Sequence, residues 1–268
     1  MMLIDYSNTD MLHKVSKQER LQLIIDEFRK SRWVTVTQLA EIFNVSKITI
    51  RRDLQELSEQ GLIKRSLVGM EMNPLLNIDP PVIQRIMELK EFKERIAKAA
   101  SQLIGNSTSI FIGSGSTTSF LSPHLVDKTN LTIVTNALNI AYSLSQSNGV
   151  SIVVIGGMLR ASELSLIGHI AEQSLAEVCI DKVFTGIAAI NLGVGLTNNN
   201  MLEVQTDRKL FELQAEKIIL ADHSKFNKVA SAFVAPINKV STLVTDELAD
   251  PAILDEIRQQ GVNVIIAD

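Results

Sequence analysis

The chain of 268 residues holds one cysteine, Cys179, so it cannot form an internal disulfide. That usage suits a reducing compartment, and a cytoplasmic location is expected. Cys179 sits in "AEVCIDKVF" and is expected as a small buried hydrophobe. Aromatic residues are scarce at 4%, so the core must be aliphatic. The four histidines, His13, His124, His169 and His223, have no H-x-x-x-H or C-x-x-C partner, and no metal site is expected. No apolar run approaches the roughly 18 residues of a membrane span, so no membrane partner is expected. The opening "MMLIDYSNTDMLHK" lacks the apolar segment of a signal peptide. Residues 1–14 read as a flexible tail.

What is present is a charge asymmetry. The net charge is −4. Residues 11–66 carry 11 Lys and Arg against 7 Asp and Glu, whereas residues 67–268 carry 15 against 21. A basic head on an acidic body argues for two domains with different partners.

The head reads as three short helices and a hairpin. Ser16–Glu19 and Thr35–Gln38 each fit a capping box. Leu21, Ile24, Ile25 and Phe28 follow the first at helical spacing, and Leu39, Ile42 and Phe43 follow the second. Asn44-Val45 makes a tight turn, Ser46 caps a third helix, and Gly61 ends it. Ile50, Leu54 and Leu57 form the buried stripe of that helix, which turns Ile48 and Arg52 outward, flanked by Lys47, Thr49 and Arg51. A short helix, a tight turn and a helix with a basic outer face make a helix-turn-helix, whose second helix enters the major groove of double-stranded DNA. There Arg reads guanine, and an exposed apolar group touches a thymine methyl.

The run "VTVTQLAEIFNVSKITIRRDLQELSEQGLIKR" resembles the DNA-binding domain of the DeoR family of bacterial transcriptional regulators. The resemblance implies a winged helix-turn-helix over residues 15–72, with Ile63–Arg65 opening the wing. It implies DNA contacts from Ser46, Lys47, Ile48, Thr49, Arg51, Arg52, Lys64 and Arg65. Where the family has a His-Gly-Gly turn, this chain has Leu67-Val68-Gly69.

Asn73-Pro74 and Asp79-Pro80-Pro81 break regular structure, and residues 73–91 read as a linker. From Phe92 through Leu103 the period is helical. Beyond it, seven short apolar runs alternate with helical segments: 109–113, 131–135, 151–156, 181–187, 217–221, 241–245 and 262–267. They predict an α/β domain over 92–268 with a mainly parallel sheet covered on both faces.

The first run leads into Gly113-Ser114-Gly115-Ser116-Thr117-Thr118, which suits a phosphate: glycine allows close approach, and free N–H groups and hydroxyls can hold an anion. A dinucleotide fingerprint would need glycine at Thr118 and an acid about 20 residues on, and a P-loop would need Gly-Lys-Ser/Thr. Neither pattern is met, so no cofactor is expected.

"TNALNIA" (135–141), "GGMLR" (156–160), "SLIGHIAEQSL" (165–175), "DKVFTGIAAINLGVGLTNNNMLEVQTDRK" (181–209) and "ADHSKFNKV" (221–229) extend the DeoR resemblance over the body. That effector domain is similar in fold to ribose-5-phosphate isomerase and senses phosphorylated sugars. The resemblance implies a pocket at the carboxyl ends of the strands, built from Ser114, Gly115, Ser116, Thr117, Thr118, Asn136, Gly157, Arg160, Glu203 and Lys225. Two departures stand out. Ala188 replaces the acid that would move protons in the isomerases, and Asp207 replaces a lysine of the family pattern. Since alanine cannot be a general base, no catalytic residue is expected. The expected function is regulation, most simply repression, of a carbohydrate operon by a homodimer or homotetramer whose DNA affinity is set by a phosphorylated sugar. The alternative is a sugar-phosphate isomerase-like enzyme with an accessory nucleic-acid-binding head.

Overall fold

The computed structural model describes residues 16–30, 34–59, 62–66, 69–72, 80–105 and 108–268. The chain divides into two units, Met1–Asn77 and Ile78–Asp268.

In the first unit, α1 (Lys17–Lys30) opens on a capping box: the Glu19 N–H donates to Ser16 Oγ and the Ser16 N–H to Glu19 Oε2. A second box, Thr35 with Gln38, opens α2 (Val36–Ile42). Asn44 then takes a left-handed conformation at φ +48, and the Val45 N–H reaches back to the Ala40 carbonyl, which closes α2. Ser46 Oγ accepts from the Thr49 N–H at 3.1 Å and starts α3 (Lys47–Glu59). Gly61, the expected end of α3, lies outside the described residues, as does the tail. The Leu62 N–H bonds the Leu57 carbonyl at 2.9 Å, satisfying a last-turn acceptor. Ile24, Phe28, Leu39, Phe43, Ile50, Leu54 and Leu57 form the core. Ile42, expected with them, is exposed instead, because Leu39, Ala40 and Phe43 already fill the inner face of so short a helix. β1 (Ile63–Ser66) and β2 (Gly69–Met72) pair antiparallel, and Val34 bridges Met70. This is the winged helix-turn-helix; its turn residues Leu67 and Val68 lie outside the described residues.

The second unit starts with α4 (Val82–Met87), inside the stretch expected as linker, and α5 (Lys90–Ser101). β3 (Ser109–Ile112) follows, then a 3-10 turn over Thr118–His124, β4 (Leu131–Thr135), α6 (Leu138–Leu144) and β5 (Val150–Val154). Pro123 lies inside the 3-10 turn, so the segment after the Gly113–Thr118 loop is not an α-helix. A hairpin, β6 (Met158–Arg160) and β7 (Ser165–Ile167), leads to α7 (His169–Ala176) and β8 (Lys182–Gly186). β9 (Ala189–Asn191), β10 (Gly195–Asn198) and α8 (Met201–Glu212) come next. β11 (Glu216–Leu220), β12 (Ala232–Ala235), β13 (Thr242–Asp246), α9 (Pro251–Gln259) and β14 (Asn263–Ala267) complete the chain.

The seven expected strands form one wholly parallel sheet in the order β14-β13-β11-β8-β3-β4-β5. Alternate residues of β3 feed the two faces. Ile110 and Ile112 pack with Ile96 and Ala100 of α5, whereas Phe111 packs with Leu175 of α7 and Leu210 of α8. The chain runs outward from β3 to β5 and then returns to β8 on the other side of β3. The carboxyl ends of β3 and β8 therefore flank the point where strand order reverses, where open α/β sheets bind ligands. β9, β10 and β12 form a small antiparallel sheet.

Cys179 is exposed, contrary to expectation. It lies between α7 and β8, where Leu175 and Ile180 take the buried positions. No described helix is long and apolar enough to cross a membrane.

Candidate functional site

The first candidate surface is the outer face of α3. Ile50, Leu54 and Leu57 anchor it inward. Asp53 is also buried, 2% exposed, and accepts from Arg20 of α1 at 2.7 Å and 3.3 Å, which also raises the guanidinium pKa. With Asp53 turned inward and paired, the outer face of the first turns of the helix carries Lys47, Ile48, Arg51 and Arg52, all exposed. Ile48 is 62% exposed. Ser46 and Thr49 bond each other at the N-terminus of α3. Lys64 and Arg65 lie on β1, paired in register with Glu71 and Met70.

The second is a cleft in the α/β unit, at the strand-order reversal. It is lined by the Gly113–Thr117 loop after β3, by Asn136 after β4 and by Thr185–Ala188 at the end of β8. Arg85, Glu163, Asn198, Glu203, Asp207 and Lys225 supply the rest of its polar wall. The empty space is about 650 Å³, including its open side.

The loop is held in a set shape. Gly115 takes φ +150, a conformation L side chains rarely adopt. The Ser114 N–H donates to Asn136 Oδ1 at 3.2 Å, and Asn136 Nδ2 is fixed on the Leu166 carbonyl. The Gly115 carbonyl takes Thr118 Oγ1 and the N–H and Oγ of Ser119. The N–H groups of Gly115, Ser116 and Thr117 have no hydrogen-bond partner among the described residues. Such clustered donors make an anion-binding concavity.

The charged side chains are held in pairs. Arg85 of α4 donates to both oxygens of Glu163. Arg160 of β6 pairs with Glu203 of α8, and Glu203 reaches Ser114 Oγ at 3.5 Å. Asn198 orders the far side: its Oδ1 accepts from the Ala188 N–H at 2.7 Å and its Nδ2 donates to Asp207 Oδ2 at 2.5 Å. Burial pushes the Asp207 carboxyl up to about 6, against the pull of Asn198 and Arg160. Ala188 brings only a methyl group to the cleft.

Of the expected effector residues, Ser114, Gly115, Ser116, Thr117, Asn136, Glu203 and Lys225 come together in the cleft. Thr118, Gly157 and Arg160 do not line it. Thr118 is fully buried and closes the loop onto Gly115. Gly157 sits at φ +145, where a Cβ would meet the Ile167 carbonyl oxygen at 2.7 Å, so its place is in the β6–β7 hairpin. Arg160 stands behind Glu203. Sequence reasoning missed Arg85, Glu163 and Asn198 as wall residues. It set Arg85 in the linker, and nothing local to Glu163 or Asn198 announces that a hairpin and a small sheet bring them to the cleft.

A winged helix-turn-helix joined to an α/β unit with a cleft at its switch point is the build of a ligand-responsive transcription factor. Residues 20–74 match the DeoR-like helix-turn-helix domain and residues 88–247 the DeoR C terminal sensor domain. The chain is 31% identical to a putative aga operon transcriptional repressor of Escherichia coli O157:H7, over 97% of this chain and 98% of that one. It is 33% identical to the glycerol-3-phosphate regulon repressor of Escherichia coli K12, over 87% and 92%. Among solved structures, a D-ribose-5-phosphate isomerase in complex with phospho-erythronic acid aligns over 51% of this chain and 54% of its own, with 18% identity and a TM-score of 0.38. The chain belongs to the DeoR family and is a DNA-binding transcriptional regulator.

Proposed function

We propose that this protein is a cytoplasmic repressor of a carbohydrate operon, and that a phosphorylated sugar bound in the cleft sets its affinity for DNA. The observation that carries the reading is the row of unpartnered N–H groups at Gly115, Ser116 and Thr117, in the same cleft as Lys225, at the strand-order reversal. The phosphate sits on that row and on the Lys225 ammonium, and sugar hydroxyls meet the Asn136, Asn198 and Glu203 side chains. On DNA, Lys47, Ile48, Arg51 and Arg52 face base edges, while Ser46, Thr49, Lys64 and Arg65 meet phosphates and position the head. The acidic body disfavours a single head on DNA. A homodimer or homotetramer sets two heads on repeated half-sites. Names of two relatives, the aga operon and glycerol-3-phosphate regulon repressors, agree with this reading. The protein works without catalysis: the cleft presents Ala188 where an isomerase would need a base.

Calorimetry with the full-length protein tests the reading. Sugars and their phosphate esters are titrated in pairs. The account expects at least one ester to bind and its parent sugar to bind at least tenfold more weakly, as lost charge-assisted hydrogen bonds require, at about 1.5–3 kcal/mol each. Equal affinity for ester and parent would remove the phosphate from the site.

A further inference from the structure

We propose that the effector is a phosphorylated amino sugar whose ammonium group is held by Asp207. The proposal rests on the reading of the cleft as a sugar-phosphate site and names the chemical class of the sugar.

The charges at the cleft wall are not all paired within the protein. Glu163 is engaged by Arg85 and Glu203 by Arg160. Those two pairs leave Lys225 and Asp207 with no ion-pair partner among the described residues. One is a cation at the end of β11, in the 3-10 turn His223–Lys225; the other is a carboxylic acid on α8. Unmatched charges of opposite sign in one cleft fit a zwitterion. Phosphate satisfies Lys225 and the loop N–H groups. A group bearing N–H donors and a positive charge satisfies Asp207.

The local geometry selects a donor for that carboxylate. Asp207 Oδ2 is taken by Asn198 Nδ2, and Asn198 cannot turn without losing the Ala188 N–H from its own Oδ1. Asp207 Oδ1 has no partner among the described residues. The charged groups that act on Asp207 are Arg160 and Glu163, and both are committed to other partners. At neutral pH the Asp207 carboxyl is mainly ionised, because its pKa, though raised, stays near 6. A partly buried carboxylate with one hydrogen bond is costly unless a cation completes it. A hydroxyl on the ligand offers that carboxylate one hydrogen bond and no countercharge; an ammonium offers both.

The test is calorimetry on full-length protein at pH 7, with glucosamine 6-phosphate and galactosamine 6-phosphate against glucose 6-phosphate and galactose 6-phosphate. The N-acetylated 6-phosphates serve as uncharged controls. The expected result is that an amino compound binds roughly tenfold or more tightly than its hydroxyl and N-acetyl counterparts. Asp207→Asn, similar in shape, should erase that preference, so that the amino and hydroxyl compounds bind this variant alike. Equal binding of amino and hydroxyl compounds by the unmodified protein, or a preference that survives in Asp207→Asn, overturns the proposal and leaves the sugar-phosphate reading standing. If none of the phosphorylated sugars binds, that reading fails and takes this proposal with it.

Discussion

Arg85 and Glu163, 78 residues apart in the chain, meet in a two-pronged ion pair on the wall of the cleft. Arg85 belongs to α4, the first helix of the α/β unit, and its Nε also bonds the Pro80 carbonyl at 2.9 Å. Glu163 lies in the β6–β7 hairpin, whose Ser162 carbonyl accepts from the Val82 N–H at 2.7 Å. The same hairpin carries Arg160, which grips Glu203. The hairpin thus joins the cleft wall to the start of α4.

The pair supports a first prediction. Glu163 is nearly buried, so Arg85→Ala leaves its carboxylate without its main partner. Breaking such a pair costs about 3 kcal/mol. Urea denaturation followed on the α/β unit should show that loss. The unmodified urea midpoint in Arg85→Ala would show that the pair adds nothing.

In the head, the Arg20–Asp53 contact makes a separate prediction. Asp53→Ala removes the buried anion and leaves Arg20, itself largely covered, without its partner. The head should lose about 3 kcal/mol and specific DNA binding with it. Sugar-phosphate binding to the α/β unit should be unchanged, because the lesion lies in the other unit. Parallel anisotropy and calorimetry on the one variant would expose a shared effect if there is one.

On the outer face of α3, Arg52→Ala should cost about 1–3 kcal/mol at the preferred site and relax sequence preference there. Ile48→Ala should weaken binding with no change in salt slope, since it contacts no phosphate. If Arg52→Ala binds its preferred site as tightly as before, the major-groove assignment of α3 fails.

Lys93 yields a prediction about pH. It is 3% exposed, and its Nζ donates to the Glu88 carbonyl at 2.6 Å and to the Arg85 carbonyl, closing α4 onto α5. Burial pushes its pKa from 10.5 down to about 8. Between those values the unfolded chain binds the extra proton, so stability should rise as pH climbs from about 8 to 10.5. Lys93→Met should flatten that rise. A decline in stability over the window, or a rise unchanged in the variant, would contradict the assignment. The pH dependence of the urea midpoint reads it directly.

Gly157 gives a further substitution with a structural cause. Alanine there must adopt φ near +145 and push against the Ile167 carbonyl. The strain is worth about 1–3 kcal/mol and falls on the hairpin that holds Arg160 and Glu163. Gly157→Ala should lower thermal stability and weaken sugar-phosphate binding together. Loss of binding at full stability would instead make Gly157 a direct ligand contact.

The seven sheet strands were legible because a parallel strand covered on both faces is apolar throughout, as in "SIFI" and "LTIVT". The capping boxes at Ser16 and Thr35 were legible because their chemistry is local. Strands of three residues such as β6, β7 and β9 are too short for a period to register. The loop after β3 could be read from its glycine, serine and threonine residues, but its surroundings could not. Arg85, Glu163 and Asn198 reach the cleft only through long-range packing. Thr118, Gly157 and Arg160 look like ligand contacts in sequence, yet they shape and brace the residues that line the cleft. Asp53 was hidden in a helix whose neighbouring arginines drew attention to the opposite face.

The central claim is that a phosphorylated sugar in the cleft controls DNA affinity. The most direct measurement is fluorescence anisotropy of the full-length protein on DNA from upstream of its own and neighbouring genes, at fixed salt, with a panel of phosphorylated sugars added to the complex. The account predicts salt-steep, specific binding that one phosphorylated sugar shifts and its unphosphorylated parent does not. Specific binding that no phosphorylated sugar alters would contradict it.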